Sequence, residues 1–329
     1  MYKLGIIIIN WNSHHDTIEC ITSIRNNEVE LYPIFLLDNG SEKQSVENIE
    51  EWLVEKYGLS YRIMTDDEFI QCNDFSNCSL FFIKAKTNLG FAKGNNFVWN
   101  KIMDFYDYVL LLNNDTVISE NAFTKMLAYM DSNPDTGVIS CDIRLYSKPG
   151  KLWNAGGYFA WYGDRKYFKQ KKIDNYKKNG VMAIKSPYIT GCVLMVRKEI
   201  TKKYGMLTEK FFLGEEDFNY CKRLAKNQVK VETLLDAVIY HKVGSSRVTS
   251  RDSNNMILHY TSRIIDLKEF YSPLKWQLWS LLYIIAIFIK ICSMKKSVKE
   301  AVRVAKHVFL YSHKYNNVSY EIYSSIIYQ

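Results

Sequence analysis

Three polar residues, Asn113, Asn114 and Asp115, directly follow a short apolar run from Tyr108 to Leu112. The run predicts a buried central strand, and ligands in open α/β sheets bind where such strands end. A carboxylate at that position can hold a divalent cation, and the cation can in turn hold a diphosphate. The alternative is a helix cap, in which Asp115 or Ser119 begins the amphipathic helix that follows.

Two other groups of chemically competent residues occur further along the chain. Glu215, Glu216 and Asp217 stand at the start of a predicted helix, and His241 ends an apolar run that begins at Ala237. The helix dipole favours acidic residues there by at most about 1 kcal/mol per charge, which does not require three in a row. The cluster therefore suggests acid–base chemistry, whereas a histidine at a strand end is more often a structural hydrogen-bonding residue.

The elements that must position these residues alternate between strand-like and helix-like patterns in the first half. Such alternation predicts an α/β fold with a mostly parallel sheet and covering helices. Ser41 and Gln44 have the spacing of a capping box at a helix start, and Asp66 to Asn77 reads as an exposed irregular loop. The glycines between Asn88 and Asn96 suggest a turn whose backbone amides could bind an anion. Predicted strands lie at 4–9, 32–37, 61–64, 80–85, 108–112, 138–141, 188–196 and 237–241, and the stretch 145–179 is expected to be irregular or a hairpin.

Composition narrows the class of protein without identifying it. A chain of 329 residues with 47% hydrophobic and 24% charged residues can form about two globular domains. The net charge of +8 suits anionic partners. Seven scattered cysteines argue against a disulfide framework or a structural zinc site, so we expect a reducing compartment. The first apolar run is too short for a secretory signal and is better explained as a strand.

The C-terminal part has a different character. The uncharged run from Trp276 to Ile289 has 14 residues, whereas a transmembrane helix needs about 20. Beyond it, basic and apolar residues separate onto two helical faces, which favours the surface of an anionic membrane. A helical hairpin that packs on its own domain or on a second subunit is the alternative. The basic positions are Lys295, Lys299, Arg303 and Lys306, and the apolar positions are Val298, Ala301, Val302, Ala305 and Phe309.

Taken in order, the motifs resemble glycosyltransferase family 2, and especially its bacterial rhamnosyltransferase-like branch. The likeness runs from about Lys3 to Arg263 and implies a GT-A fold, a Rossmann-like mixed sheet with flanking helices. It implies a GT-A domain over 1–271, with a nucleotide-sugar-binding half (1–141) and an acceptor-binding half (142–271). The helical tail that we expect over 272–329 lies outside the likeness. The motifs are 9–12, 38–41, 88–96, 113–115, 190–192, 216–217 and 241.

By this resemblance, Trp11 would lie against the nucleobase, and Asp38 would hydrogen-bond the base or the ribose. Asn113 and Asp115 stand where the family has an Asp-x-Asp metal motif, so Asp115 and His241 would hold Mn²⁺ or Mg²⁺. Asn113 replaces the first aspartate and is a neutral ligand at best, which weakens the charge at the metal. The expected donor-binding residues are Asn10, Trp11, Asn12, Asp38, Asn88, Gly90, Lys93, Gly94, Asn95, Asn113, Asn114 and Asp115.

The resemblance also implies the chemistry. Asp217, in the family's Glu-Asp position with Glu216, would be the general base of an inverting transfer. Thr190, Gly191, Cys192 and Glu215 would lie on the acceptor side. We expect transfer of a sugar, with rhamnose the first guess, from a TDP- or UDP-linked donor to a glycan acceptor.

The expected setting is bacterial surface polysaccharide synthesis on a polyprenyl-linked acceptor, at the cytoplasmic face of the cell membrane. Two other functions remain open on the sequence: a nucleotidyltransferase, and a nucleotide-sugar-binding protein without turnover, which the Asn113 substitution keeps in consideration. A homodimer is compatible with the sequence. Nucleic-acid binding is disfavoured because basic residues are dispersed through the catalytic half and concentrated mainly in the tail.

Overall fold

A computed structural model describes residues 3–243, 253–294 and 297–328 of the chain. Lys295, one of the basic residues expected on the polar face of the tail, lies outside these ranges. Within them, the first half alternates strands and helices, as the sequence pattern predicts. Its elements are β1 (Leu4–Asn10), α1 (His14–Asn27), β2 (Ile34–Asp38), α2 (Lys43–Trp52), β3 (Tyr61–Thr65), α3 (Asp66–Gln71), β4 (Leu80–Lys84), α4 (Phe91–Ile102), β5 (Tyr108–Asn113), β6 (Thr116–Ile118) and α5 (Ala122–Ser132).

The second half begins with strands and ends with helices. The described part of the second half contains no π-helix, whereas in the first half a π-helical turn, Leu53–Tyr57, extends α2. The elements are β7 (Thr136–Leu145), β8 (Lys148–Asn154), β9 (Gly157–Phe159), β10 (Arg165–Tyr167), α6 (Gln170–Lys178), β11 (Ala183–Lys185), β12 (Val193–Arg197), α7 (Lys198–Tyr204), α8 (Glu216–Lys226), β13 (Lys230–His241), α9 (Ser253–Leu267), α10 (Pro273–Ser293), α11 (Val298–Lys314) and α12 (Tyr320–Ile327).

The central sheet is mixed. Its strand order is β11-β13-β7-β12-β5-β1-β2-β4-β3, with β6 paired to β13 and β8 paired to β7. Neighbouring strands from β5 to β3 are parallel, whereas β12 runs antiparallel to both β5 and β7. The apolar runs that form β1, β2 and β5 are almost fully buried, as expected for strands covered on both faces.

The register brings the polar strand ends to one edge of the sheet. Ile9 pairs with Asn113, Asn10 with Asp38, and Asp38 with Lys84. Apolar side chains of α1 and α5 fill the core against these strands, including Ile21, Phe123 and Met126. Burial of these helices therefore fixes the strand ends that carry the polar residues.

Several local predictions differ from the structure, in whole or in part. Ser41 does not cap α2, whose N-cap is Glu42 without a side-chain cap bond. The expected loop from Asp66 contains α3, because Thr65 and Glu68 form the capping box that the sequence pattern left unused. The stretch 145–179, expected to be irregular or a hairpin, does contain the β9–β10 hairpin, but it also contains α6, which was not expected. The strand expected from Tyr188 begins only at Val193.

The chain divides into two compact units. The first consists of Met1–Leu207 and Tyr220–Ser245, and the second of Thr208–Asn219 and Ser246–Gln329. These units follow compactness alone. The functional division into 1–141, 142–271 and 272–329 therefore stays a prediction.

Helices dominate the second unit, in which α11 packs on α9 and α10. On α11 the buried face comprises Ala301, Val304, Val308 and Ser312, so of the expected apolar stripe only Ala301 is buried. Within the described residues, α10 is the one helix whose length of 21 residues and composition would let it cross a membrane. A single helix of this kind is weak support for a membrane span, since core helices of soluble proteins share the same features.

Candidate active site

A buried hydrogen-bond network joins the ends of β1, β2 and β5. The Asn10 amide nitrogen donates to Asp38 Oδ2 at 2.7 Å, and Asn10 Oδ1 accepts from Thr17 Oγ1 at 2.8 Å. The Asn114 amide nitrogen donates to the same Thr17 hydroxyl at 2.9 Å. Asn10, Thr17 and Asp38 are at most 1% exposed. Three sequence-predicted donor residues therefore meet in one network, and Thr17 is a member that the sequence did not indicate.

This network holds the turn after β2. Asp38 Oδ1 accepts from the Ser41 backbone N–H at 2.9 Å, and the Ser41 hydroxyl accepts from the Asn12 backbone N–H at 2.9 Å. Asn12 adopts a φ of 52° and its side-chain oxygen accepts from the Glu42 amide. The indole of Trp11 remains 54% exposed beside these buried groups. A flat exposed ring at a strand end can stack on a nucleobase.

Asn39, within the motif at 38–41, joins two turns of the candidate site. Its amide nitrogen donates to Asn88 Oδ1 at 3.1 Å and to the Gly90 carbonyl at 3.2 Å, and its oxygen accepts from Leu89. A Cβ on Gly40, where φ is 71°, would lie 2.5 Å from the Thr87 carbonyl carbon. The turn after β2 and the turn before α4 are therefore locked together.

The glycine-rich turn ends in the first turn of α4, whose N-cap is Gly90 with a φ of 81°. Gly94 is packed closely, since a Cβ there would lie 3.1 Å from Ile9. The Asn95 side chain donates to the Phe91 carbonyl within the helix, and Lys93 is exposed. Gly94 and Asn95 thus shape the helix start, and Lys93 is the residue in this turn that is available to a diphosphate.

Asp115 and His241 form the chemical centre of the first unit. His241 Nε2 lies 3.0 Å from Asp115 Oδ1, and both residues are buried. Antiparallel pairing of β6 with β13 sets His241 opposite Thr116, which brings the histidine beside Asp115. The helix-cap alternative for Asp115 and Ser119 is wrong, because α5 begins at Ala122 with Asn121 as its N-cap.

Among the described residues, one ring nitrogen of His241 has no hydrogen-bond partner. Its ring packs edge-on against Trp153, with centroids 4.2 Å apart, and no described residue hydrogen-bonds its buried Nδ1. The neighbouring Lys242 ammonium donates to Asp16 at 2.7 Å and to Glu19 at 2.6 Å. These two carboxylates raise the pKa of Lys242 against the opposing effect of burial. Lys242 anchors the strand end to α1 and is not a free cation.

The pair fits two ligands of one divalent cation. Adjacent ligands at right angles, with bonds of about 2.1 Å, lie about 3 Å apart, which is the separation of the Asp115 and His241 atoms. The described residues contain no group of three or more His, Cys, Asp or Glu that could hold a metal. A cation here would need the Asn113 side-chain oxygen and oxygens of a bound diphosphate to complete its shell.

The segment expected on the acceptor side is hydrogen-bonded to the end of β5. The Cys192 carbonyl accepts a hydrogen bond from the backbone N–H of Asn113 at 2.9 Å and so fixes the end of β5. The Thr190 hydroxyl accepts from the Cys192 amide, and Gly191 lies between them. Burial raises the pKa of the Cys192 thiol well above its usual range, so the thiol itself is unreactive. An acceptor-binding role for this segment stays a prediction.

The acidic cluster belongs to the second unit and contains a buried ion pair. Arg263 is fully buried, with Nε 2.5 Å from Glu215 Oε2 and Nη2 3.1 Å from Oε1. Its guanidinium lies 3.7 Å over the Phe218 ring. Glu215 has a φ of 73°, and the helix that carries Glu216 and Asp217 begins immediately after it. Arg263 was missed because nothing in its own sequence context marks it.

A second buried carboxyl lies beside this pair. Asp266 Oδ1 accepts from the Asn219 amide nitrogen at 2.6 Å, whereas Oδ2 is buried without a bond from any described residue. Burial, reinforced by the negative charge of Glu215, raises the pKa of Asp266 to about 7. The helix start that bears Asp217 is therefore held by the Arg263–Glu215 ion pair and by the hydrogen bond from Asn219 to Asp266.

The mixed sheet with polar strand ends, flanking helices and further C-terminal helices has the architecture of a GT-A glycosyltransferase. The sequence profile described as "Glycosyl transferase family 2" matches residues 5–205. The chain therefore belongs to glycosyl transferase family 2. The GT-A fold expected from the sequence is confirmed, whereas the rhamnosyltransferase-like branch is not.

A solved structure supports the fold independently. The crystal structure of GalNAc-T7 with UDP, GalNAc and Mn²⁺ superposes with a TM-score of 0.62 at 10% sequence identity. The match covers 100% of this chain and 57% of that one. At this identity the likeness shows the fold alone. No curated protein sequence matches the chain.

Proposed function

We propose that this chain is an inverting, metal-assisted glycosyltransferase that transfers a sugar from a nucleotide-diphosphate donor to a hydroxyl of a glycan acceptor. The observation that carries the proposal is the buried Asp115–His241 pair, 3.0 Å apart at the end of β5, in a chain of glycosyl transferase family 2. A carboxylate and an imidazole at this point suit the diphosphate end of a donor.

The donor would lie along the carboxyl edge of the sheet. Trp11 would stack on the base, and Asp38 would bind the base or ribose through carboxylate lone pairs left over from its two internal bonds. Asn10, Asn12, Asn88 and the glycines of the α4 turn would hold these groups in place. The UDP bound to GalNAc-T7 makes a UDP-linked sugar as reasonable a donor as a TDP-linked one.

Asp217 would act as the general base. It would take the proton from the acceptor hydroxyl while that oxygen forms a bond to the anomeric carbon and the bond to the diphosphate oxygen breaks. A single displacement of this kind inverts the anomeric configuration, and a positioned base contributes about 10²- to 10⁴-fold. Glu216 would bind acceptor hydroxyls or hold Asp217 in place, whereas Glu215, buried against Arg263, would hold the helix start that carries Asp217.

A divalent cation, when bound, would stabilise the charge of the departing diphosphate. Asp115 and His241 would hold it, with the neutral Asn113 side chain as a third contact. Manganese suits the imidazole slightly better than magnesium. We further propose that the sugar is rhamnose, that the acceptor is polyprenyl-linked and that the product is a bacterial surface polysaccharide. The protein would be peripheral, at the inner face of the cell membrane.

A donor screen tests the proposal. The purified chain is incubated with TDP-, UDP- and GDP-sugars, with Mn²⁺, with Mg²⁺ or with a chelator, and released nucleoside diphosphate is measured with and without a glycan acceptor. Metal-dependent release that is lost in Asp217→Asn is expected. Asp236→Asn, the same change at an exposed position of β13, is the matched control and should keep full activity.

Two results would replace the proposal. Release of pyrophosphate during formation of a nucleotide sugar would identify a nucleotidyltransferase. Donor binding, seen as a thermal shift, without release across a broad acceptor panel would identify a binding protein. The neutral Asn113 is the feature that would account for such a loss of turnover.

A further inference from the structure

Helix α10 is apolar on two opposite faces, and only one of them is packed. Trp276, Ser280, Ile284, Ile287 and Ile291 are buried within the second unit, where the Trp276 indole donates to the Ile264 carbonyl at 2.8 Å. The opposite face is exposed by 49–69% at every large apolar position. These positions are Leu274, Leu278, Leu281, Leu282, Ile285 and Ile289.

The exposed residues form a continuous stripe. At the helical period they fall within an arc of about 100° along a helix about 31 Å long. A groove of about 440 Å³ lies at the start of the stripe, lined by Leu274, Leu278, Leu282, Trp279 and Lys275 together with Ser272. Contiguous exposed apolar surface of this extent marks an interaction site.

The charge of this part of the sequence indicates which partner covers the stripe. From Pro273 to Lys314 the sequence contains eight Lys or Arg residues and one Glu, so this segment holds nearly all of the net charge of +8. Lys275 and Lys290 are exposed on the flank of α10 between the stripe and the packed face, with Trp279 between them. Long basic side chains and tryptophan beside apolar residues are typical of contact with lipid headgroups.

A second copy of the chain would bring a like-charged segment against this one, which opposes self-association through the stripe. A membrane-spanning position conflicts with the packed face, since the Trp276 bond to Ile264 and the burial of Ile284 and Ile287 would be lost. A helix with one packed face and one exposed apolar face lies in the plane of the interface.

We propose that α10 lies along the surface of an anionic bilayer, with the Leu274-to-Ile289 stripe among the acyl chains and Lys275 and Lys290 at the lipid phosphates. This face of α10 would then be the surface through which the protein takes the peripheral membrane position proposed above. Binding would not depend on catalysis, because none of these residues belongs to the proposed active site.

Vesicle co-sedimentation of the full chain, without donor or metal, tests this surface. Binding is expected to phosphatidylcholine vesicles that contain 30% phosphatidylglycerol, and to be much weaker without it. Leu278→Glu/Leu282→Glu should weaken binding at least about tenfold, because both leucines lose their place in the acyl layer. Lys275→Gln/Lys290→Gln should weaken it by about tenfold or more at low salt.

Val54→Glu/Ile70→Glu is the matched control, since both residues are exposed apolar positions outside the second unit, and its binding should equal that of the wild type. Thermal midpoints confirm that each variant folds. Binding that is equal on neutral vesicles, or unchanged by Leu278→Glu/Leu282→Glu, would overturn the proposal. So would resistance to alkaline carbonate extraction, which indicates a span, or a dimer in light scattering that these two substitutions dissociate.

Discussion

Removal of Arg263 alone is expected to destabilise the protein more than removal of Arg263 and Glu215 together. Arg263 is fully buried, and both nitrogens that face Glu215 lie within 3.1 Å of its carboxylate oxygens. Arg263→Met leaves that carboxylate buried without its main cation. Breaking one side of a buried ion pair costs about 3–5 kcal/mol.

The lower end of this range applies here. The His259 imidazole lies 3.4 Å from Glu215 Oε1 and can take over part of the compensation, so we expect a loss of about 3 kcal/mol for Arg263→Met. Glu215→Gln removes the buried negative charge at the same position. The double variant should therefore recover about 2 kcal/mol of the loss, because a neutral amide is cheaper to bury than a carboxylate.

Urea unfolding of the full chain at pH 7.5 measures these free energies, with circular dichroism and tryptophan fluorescence followed together and extrapolated linearly. Arg223→Met is the matched control. Arg223 donates to the Tyr204 and Met206 carbonyls, and we expect its loss not to couple to Glu215→Gln. Simple additivity of Arg263→Met and Glu215→Gln would refute the ion-pair reasoning.

Three further predictions concern protonation, backbone conformation and the metal. The pKa of Asp266 is raised to about 7 in the folded state, so stability falls as pH rises from about 4 to 7, and Asp266→Asn should flatten this loss in thermal midpoints at pH 5 and 8. Gly40→Ala should cost at least about 2 kcal/mol in urea unfolding, whereas Gly58→Ala, with a similar φ and open space, should cost about 1. Asp115→Asn should abolish the gain in UDP affinity on adding Mn²⁺, measured by calorimetry, and an unchanged gain would rule out Asp115 as a ligand.

The sheet could be predicted from the sequence because its central strands are continuous apolar runs. Tyr108–Asn113 is nearly the predicted strand, and the polar residues after it mark a real strand end. The hydrogen-bond partners of polar side chains were harder to predict from the sequence. Ser41 has the spacing of a cap, but its hydroxyl accepts from Asn12 and its amide donates to Asp38, both set by tertiary structure.

The candidate site was predictable where a residue stands at an element boundary. Asp115 and His241 each follow or end an apolar run, and the structure places them together although they are 126 positions apart. Arg263 and Asp266 lie within α9, 48 and 47 positions from Glu215 and Asn219, and a buried arginine in a helix has no local pattern. Contacts of this kind follow only from the packed fold.

Asn113 changes how the centre in the first unit can hold a cation. The described site offers one carboxylate, Asp115, and one imidazole, His241, and a neutral amide stands where a second carboxylate would double the negative charge. A single buried carboxylate offsets only part of the cost of removing a divalent ion from water. We infer that the oxygens of the donor diphosphate supply most of the remaining attraction. The metal would then bind together with the donor, and the free protein would hold it weakly.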